Sequence, residues 1–173
     1  MFIYIHQDPR TLYPVTGFIE QKGVGEGEGL KINIPLPPFS GDLSYKMVFE
    51  EIIEPVVKEF KPQIIIRNGG SDPHFGDPLT NLSLTVEGFK MIGKKVKNLS
   101  KICKGKEIDL IASGYNLKIL PFAWLALISG LIGVEVEIKE SSQPLSFKDP
   151  IEETKKVIQK IKEGFRNYWR CFK

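Results

Sequence analysis

The chain has 173 residues, 42% of them hydrophobic and 10% aromatic, a content that suits one folded domain with a real core and argues against disorder. Its 24 basic and 21 acidic residues leave a formal charge of +3, too mild and too mixed an excess for direct nucleic-acid binding, although the stretch from Lys155 onward is locally basic. Cys103 and Cys171 make no metal or redox spacing, so reduced thiols in a cytoplasmic protein are expected; no secretory signal is predicted, and the most apolar window, Ile119 to Ile132, is too short to cross a bilayer.

In chain order, Phe2-Ile3-Tyr4-Ile5 reads as a strand entered directly after Met1, an arrangement expected of a chain that begins partway through a larger fold. A loop from Gln7 to Gly17 follows, with Asp8-Pro9 and Tyr13-Pro14 as turn signals. Gly23 to Gly29 alternates glycine with Val24, Glu26 and Glu28. It lacks the lysine and hydroxyl residue of a phosphate loop, and is predicted to be a mobile connector. Lys31 to Ile34 is a short strand that Pro35, Pro37 and Pro38 should halt. Asp42 is the expected cap of a helix running to Phe60, kinked at Pro55.

Ile64-Ile65-Ile66 then reads as a strand buried on both faces, as in a parallel sheet. It runs into Asn68-Gly69-Gly70 and a loop carrying Asp72, His74 and Asp77. Ligands of open α/β sheets gather at the carboxyl ends of strands, so this loop is either a candidate site or a polar cap for the next element. Thr85 should cap a helix to about Cys103. Glu107 to Ile111 is a second buried strand, ending at Ala112-Ser113-Gly114-Tyr115, and a helix spans roughly Leu117 to Leu131. Val134 to Ile138 alternates as a one-sided strand does, and Asp149-Pro150 opens a last amphipathic helix. Strands alternating with helices imply an α/β fold with a mainly parallel sheet covered on both faces.

Three blocks carry a resemblance: His6-Gln7-Asp8 through Leu12-Tyr13-Pro14-Val15-Thr16-Gly17, Gly70-Ser71-Asp72 through Gly76-Asp77-Pro78-Leu79, and Ser113-Gly114-Tyr115-Asn116-Leu117. With these blocks in this order, residues 1–131 resemble the C-terminal half of the zinc-dependent histone deacetylase family, which includes acetoin-utilisation and acetylpolyamine relatives. The resemblance implies the three-layer, arginase-like α/β fold. Residues 132–173 would add an extra strand and a C-terminal helix to one domain spanning 1–173. It further implies that Asp72 is a zinc ligand and that Tyr115 donates its hydroxyl to the developing oxyanion. Tyr13, Leu79 and Gly114 would line the substrate tunnel.

The family's His-His base and Asp-x-His zinc ligands precede the strand that begins here at Phe2. The only histidines in this sequence are His6 and His74, and neither stands in such a pair. Asp72-Pro73-His74 has Asp-x-His spacing, but Pro73 would interrupt a ladder and the family alignment puts His74 on a loop outside the ligand set. One aspartate cannot hold a catalytic zinc, and a phenol is a poor base at neutral pH. The chain is therefore expected to bind zinc weakly and to be close to inert alone. Three readings follow: one portion of a deacetylase completed by an N-terminal half, a non-catalytic binding or assembly protein of the same fold, or a small independent hydrolase using Asp72, His74 and Asp77. The open edge at Phe2–Ile5 is expected to seek a partner or a second copy, and the substrate implied is an acetylated amine.

Overall fold

The computed structural model describes residues 1–140 and 148–173. Four parallel strands are found among them, in two pairs. Strand β1 (Phe2–Gln7) lies beside β2 (Lys31–Leu36), with Phe2 opposite Lys31 and Gln7 opposite Leu36. Strand β3 (Ile65–Asn68) lies beside β4 (Glu107–Leu110), with Arg67 opposite Asp109. No ladder joins the two pairs among the described residues. The alternation of strands and helices thus gives the α/β, parallel arrangement expected, but as two ribbons in place of one continuous sheet.

The sequence order dictates helical crossovers, since parallel neighbours cannot be joined by a tight turn. Helix α1 (Asp42–Val48) passes through a wide π-type turn at Phe49–Ile53 into α2 (Glu54–Phe60). Pro55 does not break this rod. It enters in the first turn of α2, directly after the π-type turn has already shifted the hydrogen-bond pattern. Helix α3 (Val86–Ser100) is capped as expected, with the Thr85 hydroxyl accepting from the Gly88 amide at 3.3 Å. Helix α4 (Leu120–Ile132) crosses α3 so closely that a Cβ on Gly93 would lie 2.2 Å from the Leu127 carbonyl oxygen, and one on Gly130 would lie 2.1 Å from that of Lys90. Glycine is required at both positions to let the two backbones touch.

Helix α5 (Ile151–Phe165) buries Ile158, Ile161 and Phe165 in the same core as Ile32, Ile34 and Leu36 of β2. Pro35 sits inside β2 and does not end it; β2 has β1 as its one neighbour among the described residues, and an edge strand tolerates a missing donor. Gly23–Gly29, expected as a mobile connector, is instead tied to the C-terminal residues. The Trp169 indole donates to the Gly29 carbonyl at 2.9 Å and the Tyr168 hydroxyl to Glu28 at 2.5 Å.

Three further expectations are corrected. Asp42 does not cap its own helix. Its carboxylate accepts from the Thr85 amide and hydroxyl at 3.0 and 2.7 Å, and Asp149 takes over the capping of α1 through the amides of Leu43 and Ser44, both at 3.0 Å. Val134–Ile138 is not a strand: Val136 and Ile138 do turn inward in alternation, but the segment finds no ladder partner among the described residues and lies along α3, with Glu135 paired to Lys90 and Lys94. Strands β3 and β4 are not buried on both faces. Ile65, Arg67, Glu107 and Asp109 are covered, whereas Ile66 (61% exposed), Ile108 and Leu110 face outward. Phe2 and Tyr4 of β1 are likewise exposed, so each ribbon leaves large apolar side chains uncovered, of a kind that folded chains normally bury. No described helix is long and apolar enough to cross a membrane.

Candidate functional site

The loops that leave β3 and β4 meet beyond the carboxyl ends of the strands. The Ser71 amide donates to the Ser113 carbonyl at 3.1 Å, and the Ser113 hydroxyl donates to Asp72 Oδ1 at 2.7 Å. Each loop presents a glycine to the other's serine. A Cβ on Gly70 would fall 2.0 Å from Ser113 Oγ, and one on Gly114 would fall 1.9 Å from Ser71 Oγ. Gly114 also has φ +124°, a region that side chains disfavour, so two separate demands exclude other residues there. Ser113 itself has φ +62°, an uncommon conformation for a residue with a side chain, which points its hydroxyl at Asp72.

Asp77 is nearly buried and holds the two halves of the site together. One carboxylate oxygen accepts from the Leu79 amide at 2.9 Å and the other from the Tyr115 amide at 2.8 Å. The Tyr115 side chain is 55% exposed. Tyr4 of β1 lies near enough to Asp72 and Tyr115 for both to add to the rise that burial causes in its pKa. Beneath them the Tyr45 hydroxyl is buried without a hydrogen-bond partner among the described residues, and burial, then Asp72, pushes its pKa up. The Asp72 carboxylate and the phenols of Tyr4, Tyr45 and Tyr115 are thus electrostatic neighbours.

The loop of Asp72 and the loop of Gly114 and Tyr115 are brought together. Tyr13 and Leu79 are mostly exposed. Tyr13 lines a cavity of about 300 Å3 beside β1 with Tyr4, His6, Leu12 and Pro14, and this cavity does not reach Asp72, Gly114, Tyr115 or Leu79. A larger groove of about 490 Å3 lies between α2 and α3, away from these residues. Lys90, Lys94 and Lys95 in its wall are already paired with acidic side chains.

His74 is a loop residue, as expected, but a buried one, 1% exposed. Burial lowers its pKa against the opposing pull of Glu140, whose carboxylate is 3.0 Å from Nε2. His6 also has its pKa lowered by burial. Its Nδ1 lies 2.8 Å from the Gln7 carbonyl, and its Nε2 has no partner among the described residues. The motif blocks contain Gln7 and Ser113 without giving either a role, and Glu140 lies outside them. Gln7 is buried and joins the loop after β1 to the site, donating to Thr11 Oγ1 at 2.9 Å and accepting from the Asn81 amide at 2.7 Å. Nothing local to these residues marks them, because each acts on a partner distant in sequence, save for the Gln7–Thr11 bond.

A residue match to known proteins spans this whole region. A family model described as histone deacetylase domain matches residues 1–131. The chain belongs to the histone deacetylase family. It is 40% identical to a probable deacetylase of Archaeoglobus fulgidus over 189 residues, an alignment that covers all of this chain and 50% of that protein. It is 40% identical to the acetoin utilization protein AcuC of Staphylococcus xylosus over 131 residues, covering 75% of this chain and 34% of AcuC. Among solved structures, the histone deacetylase Clr3 superposes with a TM-score of 0.84 at 26% identity, covering 100% of this chain and 28% of Clr3. The chain thus spans half or less of the length of these relatives.

The family's zinc can be tested against the residues present. A catalytic zinc takes three protein ligands, and among the described residues no three His, Cys, Asp or Glu side chains come together to hold a metal ion. Asp72 has one carboxylate oxygen already accepting from Ser113. The described residues do not make a zinc site of their own.

Proposed function

We propose that this chain is the C-terminal portion of a zinc-dependent deacetylase acting on acetylated amines, inactive alone and completed by an N-terminal half that carries the His-His base and the Asp-x-His ligands. One observation carries the reading: Asp72 and Tyr115, the residues the family's chemistry draws from this part of the fold, rise from loops interlocked through Gly70–Ser113 and Gly114–Ser71 and tied by Asp77. Such mutual bracing suits a site whose parts must hold position while bonds change. The Tyr115 hydroxyl, on an exposed side chain, is free to donate to an oxyanion formed on the substrate carbonyl. Asp72 would contribute one ligand to a metal whose other ligands, like the base, belong to the second half. Tyr13, Leu79 and Gly114 would contribute to the substrate tunnel once that half is in place.

The outward face of Ile66, Ile108 and Leu110, with Phe2 and Tyr4, supports the partner's part in this reading. These side chains are apolar and uncovered, so a complementary half would have reason to bury them and to pair the open edge of β1. The N-terminal half is equally served by a segment of the same polypeptide or by a separate chain.

The test is complementation. The chain is combined with the N-terminal half of the Archaeoglobus fulgidus relative, and hydrolysis of an acetyl-lysine or acetylpolyamine reporter is followed. Activity should appear only in the mixture. Asp72→Asn should lose metal and activity together, and Tyr115→Phe should keep the metal while turnover drops by about 10²–10³-fold, the usual loss for one oxyanion donor. A zinc-loaded pair in which Tyr115→Phe works at the parent rate would overturn the assignment. Calorimetry of the chain alone should show weak zinc binding or none; tight one-to-one binding abolished by His74→Ala would favour an independent hydrolase instead.

A further inference from the structure

Glu140 lies beyond the 131 residues that match the family model, at the end of the segment that runs back along α3. Its carboxylate joins two elements. One oxygen accepts from the Val86 amide, the first residue of α3, at 2.9 Å, and the other lies 3.0 Å from His74 Nε2. The opposite ring nitrogen, Nδ1, accepts from the Gly76 amide at 3.0 Å. An amide can only donate, so Nδ1 carries no proton, and the neutral imidazole must hold its proton on Nε2 and donate it to Glu140. The ring is packed against Phe75 and stacks at 14° on Phe89 of α3, which fixes its plane.

The consequences run straight into the site. Gly76, oriented by Nδ1, gives its carbonyl to the Asn116 side chain at 2.7 Å. Asp77, next in sequence, donates its amide to the His74 carbonyl at 2.9 Å and holds the Tyr115 amide with its carboxylate. We infer that Glu140 and His74 are positioning residues for the Asp72–Tyr115 site: the C-terminal extension, through one carboxylate and one fixed imidazole tautomer, sets the loop on which Asp77 aims Tyr115. The inference rests on the deacetylase reading for what Tyr115 does, but not for how Tyr115 is held.

The roles of the two ring nitrogens can be separated. Asparagine at 74 can present an acceptor near the place of Nδ1 but cannot reach Glu140, and glutamine can reach Glu140 but offers Gly76 no acceptor. Glutamine at 140 has one acceptor oxygen where two donors converge, so either the Val86 bond is lost or the His74 proton moves to Nδ1 and the Gly76 bond is lost.

The experiment is nuclear magnetic resonance on the isotope-labelled 173-residue chain. Ring nitrogen shifts should show the Nε2–H tautomer in the parent. Glu140→Ala should speed hydrogen exchange at the Gly76 and Tyr115 amides about tenfold, the loss of roughly one hydrogen bond, while the amides of Phe2–Gln7 keep the parent rate. His74→Asn should preserve protection at Gly76 better than His74→Gln does. Unchanged exchange at Gly76 and Tyr115 in Glu140→Ala, a uniform acceleration throughout the chain, or an Nδ1–H tautomer in the parent would each overturn the inference. None of these readouts needs activity. An inert complemented pair in which the relay is intact would count against the deacetylase reading alone.

Discussion

Gly114→Ala tests the interlock of the two site loops most directly. The substitution meets two costs that the structure separates. At φ +124° an alanine sits in a backbone region that costs about 1–3 kcal/mol. Its Cβ would also fall 1.9 Å from Ser71 Oγ, and forcing an atom into a packed site costs about 1–3 kcal/mol more. Ser71 is a short side chain able to rotate, so the lower half of that second range applies, and the sum is roughly 2–5 kcal/mol. With a urea slope of about 2 kcal/mol per molar, the unfolding midpoint should drop by about 1–2.5 M. The steric share can be removed without touching the backbone share. In a Ser71→Ala background the hydroxyl is gone and the nearest remaining atom is Ser71 Cβ, 3.1 Å from the added methyl, so about half the loss should be recovered. A cost below about 0.5 kcal/mol would refute the close approach altogether. Complete recovery in the double variant would refute the backbone argument, and no recovery would refute the contact with Ser71.

Three further outcomes follow from the same structure. The outward face of Ile66, Ile108 and Leu110 should make the isolated chain self-associate, and Ile66→Lys should shift sedimentation toward monomer; a parent that stays monomeric at every concentration refutes this. Arg67 and Asp109 form an ion pair whose side chains are 16% and 11% exposed, and burial raises the Asp109 pKa against the pull of Arg67. Asp109→Ala should therefore cost about 3–5 kcal/mol in urea unfolding by stranding the guanidinium, whereas Arg67→Leu with Asp109→Leu should cost far less. Burial holds the His6 pKa below its ordinary value, so between that value and about 6.5 the unfolded chain binds the extra proton, and stability should fall as the pH drops from 7.5 toward 5.5. His6→Gln should flatten that slope without abolishing it, because His74 shifts in the same direction; an unchanged slope would show that His6 does not titrate between the two states.

Much of the fold was legible because it is local. Apolar runs marked β1 and β3, the Thr85 hydroxyl marked the start of α3, and the family resemblance pointed to the loops of Asp72 and of Gly114-Tyr115, which do meet. The expectations that failed all depended on what a segment touches. Val134–Ile138 alternates as a strand should, yet a strand needs a neighbour's hydrogen bonds, and the nearest claim on this segment comes from lysines of α3. Asp42 has the residue type and position of a cap, but its carboxylate is taken by Thr85, 43 residues away. Gly23–Gly29 has a mobile composition, and Tyr168 and Trp169 tie it down from the far end of the chain.

The sequence by itself determined most of the helices and strands, their parallel order and the two loops that carry Asp72 and Tyr115, because turn chemistry and hydrophobic runs act over a few residues. Only the tertiary structure decided which sheet face is left uncovered, that Ser113 and Asp77 brace the site, and that Glu140 reaches His74 across 66 residues. The physical reason is that burial and hydrogen-bond pairing are properties of two partners at once. A run of three isoleucines states a preference for being covered, but what covers it lies elsewhere in the fold, and here Ile66 stays open to solvent.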